Sequence, residues 1–179
     1  VSEEKADIIG LSMGGYVALA FAELYPERVR SLALIDTKAG ADSADGKAGR
    51  DAMMERLLAE GRAAIAEGMQ AGLLAAEASV AARARLRSMI EACPYETIVS
   101  ALGGMRDRPD RTAVLATVSV PTAVLVGELD TLTPPEEAEA IAAALSDATL
   151  SVIPGSGHLT PIENPVSVTA ALRDLFSRT

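Results

Sequence analysis

Residues 10–15 read Gly-Leu-Ser-Met-Gly-Gly, at the end of the short apolar run 6–11 and directly before the stretch that begins Tyr-Val-Ala-Leu-Ala. A run of that length and composition suits a strand buried on both faces of a parallel sheet. A serine between two glycines at a strand-to-helix junction is a strong constraint on the fold. A serine hydroxyl is a poor nucleophile at neutral pH unless a base stands beside it and the backbone holds it clear of its neighbours. A sharp turn achieves the second condition by straining the serine. The strain crowds the positions two before and two after, where Gly10 and Gly14 stand, while Gly15 and Ala18 allow a helix to pack close. The turn also leaves the backbone N–H of Met13 at a helix start, pointing where an oxyanion would form. The bare pattern recurs by chance, so the alternative is a plain tight connection.

The rest of the chain supplies the context. A helix is expected over 14–25, with Val17, Phe21 and Leu24 at helical spacing and Pro26 as its stop. A second buried strand follows at 29–36. Strand, helix and strand with short links read as a parallel crossover. From Gly40 onward the character changes to a polar loop and then to Ala-, Leu-, Met- and Arg-rich helical patterns. Gly61, Gly68, Gly72, Pro94, Gly103, Gly104 and Pro109 are expected to break these into several short helices. Strands return at 122–127 and 149–153. The first is followed by a helix predicted to start with Thr133 as cap, Pro134 at the first position and Glu136 closing a capping box. The closing helix has Asn164 as cap and Pro165 at its first position. The order is β-α-β, a helical insertion, then β-α-β-α. It divides into a core segment 1–41, a helical cap 42–113 and a second core segment 114–179.

Composition narrows the function classes. The 179 residues suit one domain with a modest insertion, and the 2 Phe, 3 Tyr and absent Trp make the core aliphatic. A formal charge of −9 argues against a nucleic-acid surface. The single cysteine, Cys93, excludes an internal disulfide, offers no metal cluster, and reads as a packing residue. No apolar run approaches the roughly 18 residues that a bilayer requires. The expectation is a cytoplasmic chain with a small-molecule substrate, no nucleic acid, no membrane and no cofactor.

If Ser12 is a nucleophile, His158 is the imidazole that serves it, because the chain has only 1 histidine. It lies just past the fourth strand, between Gly157 and Leu159, on the sheet edge where parallel strands end and catalytic groups gather. The bland alternative is a surface-loop histidine. A third group should orient the imidazole. Asp130, after the third strand, is favoured over Asp36 at the end of the second, because it is next to the histidine loop and has a longer turn to reach from. Glu128 is too close to its strand and should point away.

The stretches "GLSMGG", "VLVGELDTLTPP" and "GSGHLTPIENP", in the order Ser, Asp, His, resemble the α/β-hydrolase superfamily. The closest look is to the 3-oxoadipate enol-lactonase and haloperoxidase-like esterases. Serine at the elbow departs from the dehalogenase and epoxide hydrolase branches, which place aspartate there. The resemblance implies an α/β fold: a three-layer parallel-sheet core, here its last four strands, with an inserted helical cap. It implies a serine hydrolase acting on a small ester or lactone through an acyl-enzyme, with Ser12, His158 and Asp130 as catalytic residues. Met13 N–H would serve the oxyanion hole, and Leu132 and Leu159 are pocket candidates, with Met53, Met54 and Met69 as candidates for the cap wall. C–C bond hydrolysis, perhydrolysis and a non-catalytic ligand sensor remain alternatives on the same scaffold.

In that family the elbow follows the fifth of eight strands, so the resemblance implies that the first four strands belong to a longer protein. With them would go the second oxyanion donor, whose loss typically costs about 10² to 10³ in turnover. Standing alone, residues Ala6 to Leu11, with Ile8 and Ile9, would form an exposed apolar edge. The expectation is a homodimer or a companion N-terminal fragment paired along it.

Overall fold

A computed structural model describes residues 4–179. Four parallel strands form one sheet in the order β1 (Ala6–Leu11), β2 (Val29–Ile35), β3 (Thr122–Gly127) and β4 (Ala148–Ile153). The register brings Leu11 beside Ile35, Ile35 beside Leu125, and Gly127 beside Ile153. The C-terminal ends of the strands therefore open along one edge. α1 (Met13–Leu24) links β1 to β2, and α6 (Pro135–Ala144) links β3 to β4.

Alternation along the central strands builds the two faces, since successive side chains of a strand point to opposite sides. Leu32, Leu34, Val124 and Val126 pack with Ala18 and Leu19 of α1 and with Ala138 and Ile141 of α6. Val114 and Leu115 of the short α5 (Thr112–Leu115) join the same layer. On the opposite face, Ala33, Ile35, Ala123 and Leu125 pack with Val168 and Leu175 of α8 (Pro165–Ser177). Burying each leucine or isoleucine in such a layer contributes about 1.5–3 kcal/mol. Asn164 caps α8 by accepting from the Ser167 N–H, as its sequence predicts.

The insertion holds α2 (Ala44–Leu73), α3 (Val80–Ala92) and α4 (Tyr95–Asp107). The expectation of several short helices holds in part, since Pro94 separates α3 from α4 and Pro109 follows α4. Gly61 does interrupt α2, with φ 80° and ψ 176°. Gly68 lies within α2, however, and Gly103 and Gly104 lie within α4. An interior glycine costs about 1 kcal/mol relative to alanine, which packing between helices outweighs.

The two stems of the insertion are clasped where they meet the core. The Arg111 N–H donates to the Ala39 carbonyl. The buried Arg108 guanidinium donates to the Gly40 carbonyl, pairs with buried Asp42 at 2.9 Å, and lies 4.0 Å from the centre of the Tyr16 ring. Burial alone would raise the Asp42 carboxyl, but hydrogen bonds from Arg108 and Arg50 hold it below the usual carboxylate value.

Candidate active site

Ser12 sits between β1 and α1 with φ 52° and ψ −114°, a conformation that a non-glycine residue adopts only under constraint. Such backbone strain costs of order 1–3 kcal/mol. The end of β2 and the chain just past it supply the constraint. The Ser12 N–H donates to the Ile35 carbonyl at 2.8 Å, and the Ser12 carbonyl accepts from Thr37 Oγ1 at 2.8 Å. Gly10 is required here, because a Cβ on it would lie 2.4 Å from the Gly14 carbonyl oxygen. Gly15 is required as well, since its Cβ would meet Thr37 Oγ1 at 2.3 Å. Gly14 departs from the expectation: a Cβ there meets nothing within 4 Å. The crowding falls on Gly15, one position later, because that is the helix position facing the end of β2.

Across the sheet edge, His158 Nε2 lies 2.7 Å from Ser12 Oγ, and His158 Nδ1 lies 2.8 Å from Asp130 Oδ2. Asp130 and His158 are each only 3 % exposed. Burial pushes the Asp130 carboxyl up, but hydrogen bonds from His158 and Thr133 outweigh it, and the group stays below its ordinary value. An ionised carboxylate only accepts, so Nδ1 carries the imidazole proton and Nε2 is left to accept from the serine hydroxyl. Asp130 Oδ1 also accepts from the N–H groups of Leu132 and Thr133, and Oδ2 from Thr133 Oγ1.

The Thr133 hydroxyl corrects a second expectation. Its side chain is turned toward Asp130, so α6 begins at Pro135 with Pro134 as N-cap and no side-chain cap at all. The motif that reads as a helix start is used to hold the acid. Glu128 accepts from the Gly155 N–H, away from the imidazole. Asp36, the other rival, is also occupied elsewhere: it accepts from the Gly127 N–H and from both the N–H and hydroxyl of Thr160.

The apolar candidates divide. Leu159 packs with Leu74 and Leu86 in a cluster that joins the histidine loop to the insertion, with Leu11 at its margin. Leu132 is half-exposed and approaches Gly72 of α2. Met53 and Met69, with Arg56 and Ile65, line a cavity of about 250 Å³ formed within α2, and Met54 is not among its walls. Cys93 ends α3, and its carbonyl accepts from Arg62. Sequence reasoning passed over Glu163, whose carboxylate accepts from the Gly157 N–H at 2.9 Å and the Ala75 N–H at 2.8 Å. It thereby ties the histidine loop to the insertion. No spacing rule marks such a residue, because both partners are backbone groups, one six residues before it and the other 88. Among the described residues, no group of three or more His, Cys, Asp or Glu side chains could hold a metal ion. No helix among them is long and apolar enough to cross a membrane.

A parallel sheet with helices on both faces, and a serine on a strained strand-to-helix elbow, define a class of α/β protein. Within it, this chain belongs to the alpha/beta hydrolase fold family, whose model matches residues 2–165. Among solved structures it is similar to a thermophilic esterase from Thermogutta terrifontis, with 41% identity and a TM-score of 0.93 over 98% of this chain and 66% of that one. A hydrolase from Pseudomonas aeruginosa PA01 matches at 27% identity and TM-score 0.84, over 97% of this chain and 65% of that one. The enol-lactonase from Burkholderia xenovorans LB400 shares the fold, with 23% identity and TM-score 0.87 over 98% of this chain and 66% of that one. The chain thus spans about two thirds of the length of these relatives. No curated protein sequence matches it.

Proposed function

We propose that this chain carries the triad of a serine hydrolase acting on a small carboxylic ester or lactone. The observation that carries the reading is the continuous hydrogen-bonded chain from Ser12 Oγ through the His158 ring to Asp130, at 2.7 and 2.8 Å. His158 takes the Ser12 proton as the hydroxyl attacks the acyl carbonyl. The Met13 N–H, at the start of α1, donates to the oxyanion. His158 then protonates the leaving alcohol and deprotonates the water that hydrolyses the acyl-enzyme. Asp130 fixes the tautomer and stabilises the imidazolium between these transfers. Small-ester chemistry draws support from the esterase with 41% identity over 98% of this chain.

The same reading extends to the sheet edge. β1 pairs only with β2 among the described residues, and Ile9 is half-exposed. An unpaired apolar strand invites a further strand. In the functional assembly that strand belongs to a companion hydrolase segment, with a second copy of this chain as the competing outcome. Intact-mass analysis of the purified assembly separates the two, and a soluble monomer of this chain alone would contradict both.

The test of the hydrolase reading is a fluorophosphonate probe applied to the full-length protein. The expected result is one label on Ser12, lost in Ser12→Ala and in His158→Gln, together with hydrolysis of p-nitrophenyl acetate. Absence of labelling in the full-length protein would overturn it.

A further inference from the structure

The end of β2 holds a carboxylate that the reaction above does not use. Asp36 is fully buried and has φ 47°, a left-handed conformation that is uncommon outside glycine. Its Oδ1 accepts from the Gly127 N–H at 3.0 Å, at the end of β3. Its Oδ2 accepts from the Thr160 N–H at 3.0 Å and from Thr160 Oγ1 at 2.7 Å. Thr160 stands two residues beyond His158 and opens the short helix α7 (Thr160–Glu163). The residues flanking Asp36 are those that grip Ser12, through the Ile35 carbonyl and the Thr37 hydroxyl. One three-residue turn therefore holds the serine through the Ile35 carbonyl and Thr37 hydroxyl, and the histidine loop through the Asp36 carboxylate.

Resting on the hydrolase reading, the geometry points to Asp36 as a positioning residue for the Ser12–His158 pair: its ionised carboxylate sets the separation of serine and imidazole. It touches neither substrate nor the reacting atoms. The charge state follows from the surroundings. Burial pushes this carboxyl up to about 7, against the hydrogen bonds from Thr160 and the charge of His158, while Asp130 pushes it the same way as burial. His158 in the loop after β4 and Asp130 in the loop after β3 are the titratable groups that act on it. Three donors converge on the ionised form. Protonation converts one oxygen into a hydroxyl. The Thr160 hydroxyl can rotate to accept from it, but the backbone N–H on that oxygen is left with a neutral hydroxyl, a weaker acceptor than a carboxylate. The clamp is thus complete above about pH 7 and loosened below it.

Asparagine is close in shape to protonated aspartate and carries the same zero charge, which makes the test discriminating. The ester-hydrolysis kinetics of the full-length protein and Asp36→Asn are compared between pH 5.5 and 9 with p-nitrophenyl acetate. Misplaced catalytic groups lose rate steeply, so the expected result is a kcat about tenfold lower in the variant at pH 9, with KM within about twofold. The two enzymes should converge to within about twofold at pH 5.5, where both lack the charge. A ratio that stays constant across this range, or a variant equal to wild type at pH 9, overturns the assignment. Should Asp36→Asn fail to fold, Thr160 decides. Thr160→Ser keeps the hydroxyl and should match wild type, whereas Thr160→Val should lose kcat above pH 7 only. Wild-type behaviour of Thr160→Val at all pH values overturns the assignment. Fluorophosphonate labelling of Ser12 in the unmutated protein tests the hydrolase reading separately, so either idea can fail without the other.

Discussion

His158 Nε2 and Ser12 Oγ stand 2.7 Å apart although 146 positions separate them in the chain. They meet because each follows a parallel strand on the same edge of the sheet. Groups that act as a unit give non-additive losses on removal. Ser12→Ala and His158→Gln should therefore each reduce ester hydrolysis by about 10⁴-fold or more, and the double variant should be no worse than either single one. Steady-state kinetics on the three variants checks this. Losses that multiply in the double variant would mean the two side chains work independently.

The two strand-end acids should affect stability with opposite signs. The Asp36 carboxyl is raised to about 7 in the fold, so the native state binds its proton more readily than the unfolded chain does. Its contribution to stability therefore declines as pH rises from the ordinary carboxylate range through about 7. The Asp130 carboxyl is lowered. Its contribution is present above the unfolded-chain value and fades as pH falls through the folded one. Urea unfolding of wild type, Asp36→Asn and Asp130→Asn from pH 3 to 9 reads these slopes. The stability difference between wild type and Asp36→Asn should drift against the wild type with rising pH around 7. That between wild type and Asp130→Asn should shrink only in acid.

The glycines of the elbow and the one that ends β3 against the histidine loop make a graded set. Gly127→Ala would bring a Cβ to 2.0 Å from the Gly157 carbonyl oxygen and 2.4 Å from that of Ser156, both rigid backbone atoms. Overpacking of that kind costs about 1–3 kcal/mol or more, and here the displaced segment carries His158. Gly10→Ala should behave similarly at the serine. Gly14→Ala has open space within α1 and should instead stabilise the fold by about 0.5–1 kcal/mol. Thermal melts of the three variants, read beside their activities, test the ranking. Gly14→Ala as damaging as Gly10→Ala would contradict it.

What could be read from the sequence follows the physics of each signal. The strands were legible because β2 and β3 are buried on both faces and read as apolar runs. The meeting of Ser12 and His158 on one edge was legible because a parallel sheet gathers its strand ends. The choice among Asp36, Glu128 and Asp130 rested on loop reach, and the carboxylate bound to the imidazole is the one that reach favoured. Local rules failed where tertiary partners outbid them. Thr133 has every feature of a helix cap, yet its hydroxyl serves Asp130. Gly103 and Gly104 look like breaks, yet α4 runs through them. The bridge made by Glu163 joins two backbone groups that only the folded chain brings together.

Glu163 also carries a prediction about coupling between the insertion and the site. Its two oxygens accept from Ala75, just past α2, and from Gly157, beside His158. Glu163→Gln would place an amide N–H₂ against one of these donors, leaving that N–H without an acceptor. Hydrogen exchange should accelerate at Ala75 and Gly157 together, while amides of β2 and β3 keep their protection. Exchange unchanged at both positions would mean that the Leu74, Leu86 and Leu159 cluster alone holds the two segments.

The clasp at the base of the insertion is the most exposed to a single substitution. Arg108 is almost fully buried, pairs with a buried Asp42 and covers the Tyr16 ring. Removing one partner of a buried pair typically costs about 3–5 kcal/mol, because the remaining charge is left without compensation. Arg50, 3.1 Å from Asp42, still neutralises part of that charge, so Arg108→Ala should fall near 3 kcal/mol. Arg108→Ala combined with Asp42→Ala should recover part of the loss, since no lone carboxylate then remains buried. Denaturant unfolding of the two single variants and the double variant forms the cycle. A double variant as unstable as the sum of the singles would show that Arg108 acts through its contacts with the Gly40 carbonyl and the Tyr16 ring rather than through Asp42.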